Sequence, residues 1–555
     1  YGWARHLSQR RVRCAKVGVE MTSAVSPETD ASRSAWAPLR NTAFRALWLA
    51  QLGSMVGTWM QTVGAQWLLL DEPNATTLVA LVQTMSMLPV LLLALPSGVI
   101  ADSFDRRRWL VLVQSCSFVV AATLAVLTAV DQPSPALLLT FTFLLGCGAA
   151  LATPAWLAII PDLVPRDELP AAAALGSISI NVARAVGPAA AGVLISLAGV
   201  PLVFAFNAVS YAVPAVALLV WGPAPAVSGD IPERFVPALR AGARYIRHSL
   251  ITRRILLRSI LFVAPGASLW ALLPLVATER LGLDAAGFGF LLGAVGVGAV
   301  GGAFVMPRLR SRVSVGQLIG GASLVYALAL LTLALVTNVP LVVAVLLLAG
   351  AAWLAVLASL GAAMQMFLPV WVRARGLSAH TVVFVGGQAV GAFVWGVLGQ
   401  YAGLVVALVA AAAVTAVGAA TLAVWPLIAA SHLDRGTVSY WSEPNLAFEP
   451  DPDEGPVLVS LSYSVPPERA DGFLAAMEPV RRSRQRTGAM RWGLYQDGED
   501  PRRFVEVYLV PSWKEHLRQH SDRLTGADQE IEAAAVALAD GPPEVAHLFR
   551  ANRAR

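Results

Sequence analysis

The chain has 555 residues, of which 56% are hydrophobic and only 14% charged, with a formal charge of +6 and a mean hydropathy of +0.63. A water-soluble domain carries about a quarter charged residues, so a soluble globular protein is excluded as an account of the whole chain. The positive charge is nearly all arginine, since Lys16 and Lys514 are the only lysines, and it collects in connections and tails, so it does not call for a nucleic-acid partner.

The first twenty residues, YGWARHLSQRRVRCAKVGVE, precede Met21 and lack a long apolar core, so they are not read as a signal peptide. Two readings stand for them: part of a basic tail over 1–40, or an upstream extension with translation beginning at Met21. Apolar runs then recur to about residue 427, each long enough to cross a ~30 Å hydrocarbon core as a helix. Breaks at proline, glycine and charge predict twelve spans, at about 44–70, 76–100, 108–130, 136–160, 170–198, 201–222, 255–278, 285–306, 314–336, 340–368, 376–401 and 403–427. Alternate connections differ in charge. DSFDRRR (102–108), PDLVPRDE (161–168), RYIRHSLITRR (244–254), RLRSR (308–312) and WVRAR (371–375) are arginine-rich, whereas DEPNATT (71–77), DQPSP (131–135), GVP (199–201) and TNVP (337–340) carry no cation; the exception is the connection Glu279–Asp284, with the single cation Arg280. Positive connections stay inside, so a multi-pass cell-membrane protein with both termini and the 223–254 connection in the cytoplasm is expected. Cys14, Cys116 and Cys147 have no metal-ligand spacing and read as packing residues.

The two halves, 41–222 and 255–427, repeat at an offset of 204 residues. VGPAAAGVLISLAG (186–199) lies over VGAFVWGVLGQYAG (390–403), Pro165 meets Pro369, and Gly98 meets Gly302. Two fused six-span halves are the layout of a transporter whose site lies between them.

The second and third spans are joined by GVIADSFDRRRWL (98–110), in which Gly98, Asp102, Arg106, Arg107 and Arg108 resemble the cytoplasmic signature of the major facilitator superfamily. Ser103 and Asp105 depart from that pattern. GTWMQTVGAQWLLL (57–70) and IIPDLVPRDELPAAAALGSISINVARAVGPAAAG (159–192) resemble more narrowly the subgroup that includes the enterobactin exporter. The resemblance implies a conformational latch in which Asp102 meets the start of the eleventh span near Gly376–Ser378. Arg106 and Arg107 are placed to pair with Asp162. An ordinary inside-positive loop is the plain alternative.

Ser177, Asn181, Arg184 and Pro188 fall at spacings of four, three and four, on one face of the fifth span. About thirteen residues separate Arg184 from either end, so the arginine is expected to face the space between the halves. It either binds an anionic or oxygen-rich substrate or is satisfied by carbonyls freed at Pro188, which can bend the span. Gln61 and Gln388 are expected beside Arg184 in the substrate cavity, because the resemblance turns the first and eleventh spans toward it. The GPAAAG stretch matches the antiporter glycine–proline motif only in part. No carboxylate lies near the middle of a span. His380 is the span residue whose ordinary pKa suits a proton carrier, and proton coupling itself is implied only by the resemblance.

After an acidic, proline-rich linker (428–455), the pattern β-α-β-β-α-β over 456–550 predicts a ferredoxin-like α+β domain. Its second helix is expected at about 513–538. This tail resembles the dimeric α+β barrel group that contains antibiotic-biosynthesis monooxygenases, which implies a homodimer through the tail. Trp492, Glu506, Trp513, His516 and His520 are pocket candidates. His516 and His520 share a helix face and suit a metal, but the polar run KEHLRQHSDR reads better as solvent-exposed, so no metal and no cofactor are expected.

The whole is thus expected to be an all-α polytopic membrane protein with a small α+β tail, and not an enzyme. Its function would be export of a small organic molecule, a siderophore-like metabolite or drug, by alternating access. A lipid flippase on the same scaffold and a membrane-tethered sensor or oxygenase acting through the tail are the alternatives.

Overall fold

The computed structural model describes residues 36–220, 235–427, 446, 448 and 450–551; side chains at 94–95, 98–103, 166, 235–239 and 370 fall outside that description. Met21, residues 221–234 of the connection and most of the linker therefore lie outside the described residues.

Polar punctuation sets the helices. Asn41 caps α1 (Thr42–Leu68): its Oδ1 accepts from Ala43 N at 2.9 Å, and its Nδ2 donates to the Leu163 carbonyl at 2.8 Å. α2 (Ala75–Ser103) turns directly into α3 (Arg106–Val130), where Asp105 caps the new helix by accepting from Arg108 N at 2.8 Å. The departure from the superfamily pattern at Asp105 is thus a helix cap. Ser134 caps α4 (Pro135–Leu163), with Pro135 in the first turn where its missing N–H costs nothing. α5 (Leu169–Ala198) and α6 (Val200–Val220) meet at Gly199, whose φ of 79° favours glycine.

A short amphipathic helix, α7 (Phe235–His248), precedes the second set: α8 (Leu250–Leu275), α9 (Ala285–Arg310), α10 (Val315–Leu335), α11 (Val339–Phe367), α12 (Val370–Ala402) and α13 (Leu404–Val424). Among the described residues, eleven helices are long and apolar enough to cross a membrane. α1 is not one of them, being diluted by Arg45, Gln51, Gln61 and Gln66, although it runs for 27 residues. Outward-facing Leu197, Val220, Phe304 and Val424 are 79%, 81%, 74% and 72% exposed, as a lipid-facing belt requires.

The 204-residue offset recurs in the packing. Gly187 of α5 presses on Trp59 and Val56 of α1, and Gly391, 204 residues on, presses on Ala264 of α8. Gly192 leaves no room for a side chain against the Ala285 carbonyl of α9, and Gly396 repeats this against Ala80 of α2. Gly146 meets Ser86 and Pro89 of α2, and Gly350 meets Val295 of α9. Gly403, at φ 91°, breaks α12 from α13 as Gly199 breaks α5 from α6. Close backbone approach through glycine lets helices gain dispersion contacts that lipid cannot supply. α5 against α9 and α2 against α12 form the seam between the two sets. Their tight contacts lie toward the ends of these helices away from the termini.

The tail is a four-stranded antiparallel sheet with α14 (Ala470–Thr487) between β1 (Val457–Ser464) and β2 (Arg491–Gln496), followed by β3 (Arg503–Val510), α15 (Trp513–Arg518), α16 (Gly526–Val536) and β4 (Glu544–Leu548). The strand order is β2-β3-β1-β4, and Leu461 pairs with both Glu506 and Val545. The single helix expected over 513–538 is interrupted. Thr525 begins α16 in a capping box, its N–H and hydroxyl donating to Asp528 Oδ2 at 3.1 and 2.7 Å. A threonine with an acid three residues later starts a new helix better than it continues an old one.

The tail docks on the terminus-bearing end of the helices. Glu515 accepts from Arg523 (2.9 Å) and lies 3.9 Å from Arg244 of α7. The Arg523 guanidinium sits 4.9 Å from the Trp371 ring of α12, and Tyr245 meets Trp371 edge-on at 5.6 Å.

Candidate functional site

Arg184 stands on α5 at the seam. Its guanidinium carbon is 5.8 Å from the ring centre of Trp59, on α1, and 5.8 Å from that of Trp270, on α8. The two rings are 5.8 Å apart. Arg184 Nε is buried without a hydrogen-bond partner, and among the described residues no carboxylate pairs with this side chain. An arginine at the bilayer centre costs about 3 kcal/mol on insertion scales, and two cation–π contacts return about 1 kcal/mol each. The contacts with Trp59 and Trp270 orient the cation without fully compensating it.

Below this cluster, toward the terminus-bearing end, lies a cavity of about 700 Å³ in the first half. Its cause is small side chains: Gly148, Ala149 and Ala152 of α4 face Ala172, Ala173 and Gly176 of α5, and a methyl group on Gly176 would meet nothing. Polar groups enter from Gln51, Ser54 and Thr58 on α1, Gln114 on α3, Ser177 on α5 and Tyr211 on α6, and Trp59 forms part of the wall. Among the described residues no charged side chain lines it.

The residues singled out from the sequence are distributed as follows. Ser177 lines the cavity and donates to the Ala173 carbonyl at 3.2 Å; Asn181 Nδ2 donates to the Ser177 carbonyl at 2.8 Å. Pro188 stays within a continuous α5, where its carbonyl abuts Gly289 of α9. Gln61 is buried between α1 and α6, with Asn207 Nδ2 donating to its Oε1 at 3.3 Å, and Gln388 is buried on α12. His380 Nε2 and Ser259 Oγ are 3.1 Å apart, linking α12 to α8. Arg106 lies 3.6 Å from Asp162 and donates to the Ala158 carbonyl at 3.1 Å. Arg107 closes the end of α6, donating to Leu218 O at 2.6 Å and Leu219 O at 2.9 Å. The surroundings of Gly98 and of the Asp102 side chain lie outside that description.

Apart from Ser177, sequence reasoning missed the wall of the cavity. Gln51, Ser54 and Thr58 share a face at spacings of three and four, which was the available signal. Trp270 was also missed. It belongs to an aromatic cluster with Trp353, and Tyr326 ties that cluster to α8 by donating to the Gly266 carbonyl at 2.9 Å.

In the tail, the expectation of solvent-exposed histidines is overturned: His516 is fully buried and His520 is 7% exposed. β4 brings His547 over them, its Nε2 3.0 Å from His516 Nε2. Burial, then the neighbouring His547 and Arg484, holds His516 down at about 3; burial, then His516 and Arg484, holds His520 down at about 2. Both are neutral at physiological pH. Glu506, fully buried, accepts from Trp492 Nε1 at 2.8 Å, Tyr463 OH at 3.0 Å and Arg484 Nε at 3.2 Å. Among the described residues no group of three histidine, cysteine or acidic side chains has metal-holding geometry.

A family model described as a transmembrane secretion effector matches residues 33–555. The chain is 29% identical over 280 residues to the staphyloferrin A transporter of Staphylococcus aureus, covering 50% of this chain and 70% of that protein. It is 27% identical over 361 residues to the enterobactin exporter EntS of Escherichia coli, covering 64% and 85%. A bacterial homologue of the human lysosomal transporter Spinster, inward-facing and unoccupied, superposes with a TM-score of 0.54 at 17% identity over 70% of this chain and 95% of that one. The nucleoside transporter NupG gives 0.54 at 13% identity, over 69% and 98%. At these identities the solved structures speak for the fold. The chain belongs to the transmembrane secretion effector family, a group of major facilitator secondary transporters related to siderophore exporters, and it is a transporter rather than an enzyme.

Proposed function

We propose that the protein exports an anionic, oxygen-rich small molecule of the siderophore class from the cytoplasm, by alternating access between two six-span halves with α1 as the twelfth span. The observation that carries this reading is Arg184, a half-buried cation whose Nε has no hydrogen-bond partner and which has no acidic partner among the described residues, set where the halves meet and above a cavity of about 700 Å³. That volume suits a drug-sized solute. Amide and hydroxyl groups in its wall would bind oxygen-rich groups, and the arginine would supply the charge. The arginine-rich connections support cytoplasmic termini. On that orientation the cavity faces the cytoplasm and the glycine-packed ends face outward, as an exporter awaiting its load requires. The strand order of the tail supports a ferredoxin-like domain, and we assign it to the cytoplasmic face as a dimerisation unit.

The test compares metabolites released by cells expressing wild type, Arg184→Ala or Arg184→Lys at equal membrane levels, with and without a protonophore. A set of anionic compounds should leave with wild type and be retained with Arg184→Ala, while Arg184→Lys exports weakly. Sensitivity to the protonophore would place His380 next in line for substitution. Unchanged export by Arg184→Ala would reduce the arginine to a structural element and sink the reading.

A further inference from the structure

A groove of about 560 Å³ runs along the outside of the second half, where α8 meets α12 and the end of α13. Leu257, Ile260 and Val383 make its apolar floor, Trp425 its rim, and Arg253 and Arg254 stand at its terminus-bearing end. Arg258, one turn beyond Arg254, is fully engaged, donating to the carbonyls of Gly418 at 3.0 Å, Thr421 at 2.8 Å and Trp425 at 2.6 Å. Arg254 commits one nitrogen to the Pro426 carbonyl at 3.0 Å. Among the described residues no carboxylate pairs with Arg253 or Arg254, and no acidic side chain lines the groove.

The positive charge here is concentrated. His248, at the end of α7, is held below its ordinary range by burial and then by Arg247, Arg481, Arg253 and Arg244. From Arg253 to Ile260 the helix rises about 10 Å. A cationic head and an apolar channel are therefore stacked along the direction of the spans, in the depth order of a phospholipid. Guanidinium pairs match phosphate oxygens in a bidentate manner, and basic pockets between spans at this level suit anionic headgroups.

We propose that this groove binds one anionic phospholipid, its phosphate held by Arg253 and Arg254 and an acyl chain lying over Leu257, Ile260 and Val383. Charge complementarity selects the anionic class: a zwitterionic lipid would bring a second cation to the arginine pair.

The test is thermal melting of the full-length protein in detergent, titrated with phosphatidylglycerol, phosphatidylcholine or inorganic phosphate. Phosphatidylglycerol should raise the melting temperature, and the other two should not. R253Q/R254Q should weaken the phosphatidylglycerol effect about thirtyfold in concentration. V383W, which fills the apolar floor and leaves both charges in place, should weaken it too. Equal effects of phosphatidylcholine and phosphatidylglycerol would overturn the proposal, as would inorganic phosphate reproducing the shift. So would wild-type response in V383W, which decides the matter if the arginine variant fails to fold.

Discussion

Gln66, on α1 of the first half, donates through Nε2 to the carbonyl of Trp270, on α8 of the second half, at 3.3 Å with both residues buried. This bond lies on the far side of Arg184 from the cavity and ties the halves together at the end away from the termini. Alternating access requires it to break.

Gln66→Ala should therefore favour the state open at that end. A net hydrogen bond of about 1 kcal/mol corresponds to a shift of about fivefold in the conformational equilibrium. Labelling rates of a single cysteine placed at Ser268, in the same closed zone, would report it. An unchanged rate would mean that Gln66 is satisfied equally well in both states.

Gly192 and Gly176 lie on the same helix with opposite surroundings. Gly192 abuts the Ala285 carbonyl, whereas a side chain at Gly176 enters open space. Gly192→Leu should block closure of the seam and cost about 1–3 kcal/mol of stability. Gly176→Leu should melt like wild type yet reduce export, because it occupies the cavity. Melting and export measured on both variants separate the two effects.

The helices of the eleven candidate spans were legible because polar caps and glycine breaks interrupt long apolar runs, and the close glycine contacts because Gly187, Gly192 and Gly199 recur 204 residues later. Arg184 was legible because a lone charge in a span has few tolerable places. Most of the cavity wall, Ser177 apart, was not. It exists because alanines and glycines on α4 and α5 face each other, and the sequence shows small residues without showing whether a partner fills the space. The tail histidines misled for a similar reason: a polar run reads as exposed until β4 is known to bring His547 over it.

Glu506 is the hub of the tail core. It accepts from Trp492, Tyr463 and Arg484, and Arg484, 3% exposed, also donates to Glu532 at 2.7 Å. Removing one member of a buried ion pair leaves the other charge uncompensated, at about 3–5 kcal/mol. Glu506→Ala should therefore unfold the tail well below the wild-type temperature, read from tryptophan fluorescence of Trp492 and Trp513. Glu506→Gln, which keeps an acceptor, should lose less. Export measured at a temperature where only the tail has melted would then show whether transport depends on it.

The docking of the tail should depend on pH through Glu515. Burial raises the pKa of this carboxyl, but the hydrogen bond and charge of Arg523, with Arg518 and Arg244, outweigh burial and hold it below its ordinary value. A carboxylate whose folded-state pKa is depressed contributes stability that is fully present above its unfolded value of about 4.5 and is lost as pH falls through the folded value. The contact of Arg523 and Arg244 with Glu515 should thus be intact at neutral pH and weaken progressively below about pH 4.5. Glu515→Gln should weaken it at neutral pH and flatten the profile. The contact of Trp371 with Arg523 provides the readout, because separation of the tail changes the environment of that indole. A wild-type profile that Glu515→Gln reproduces would show that another acid governs the interface.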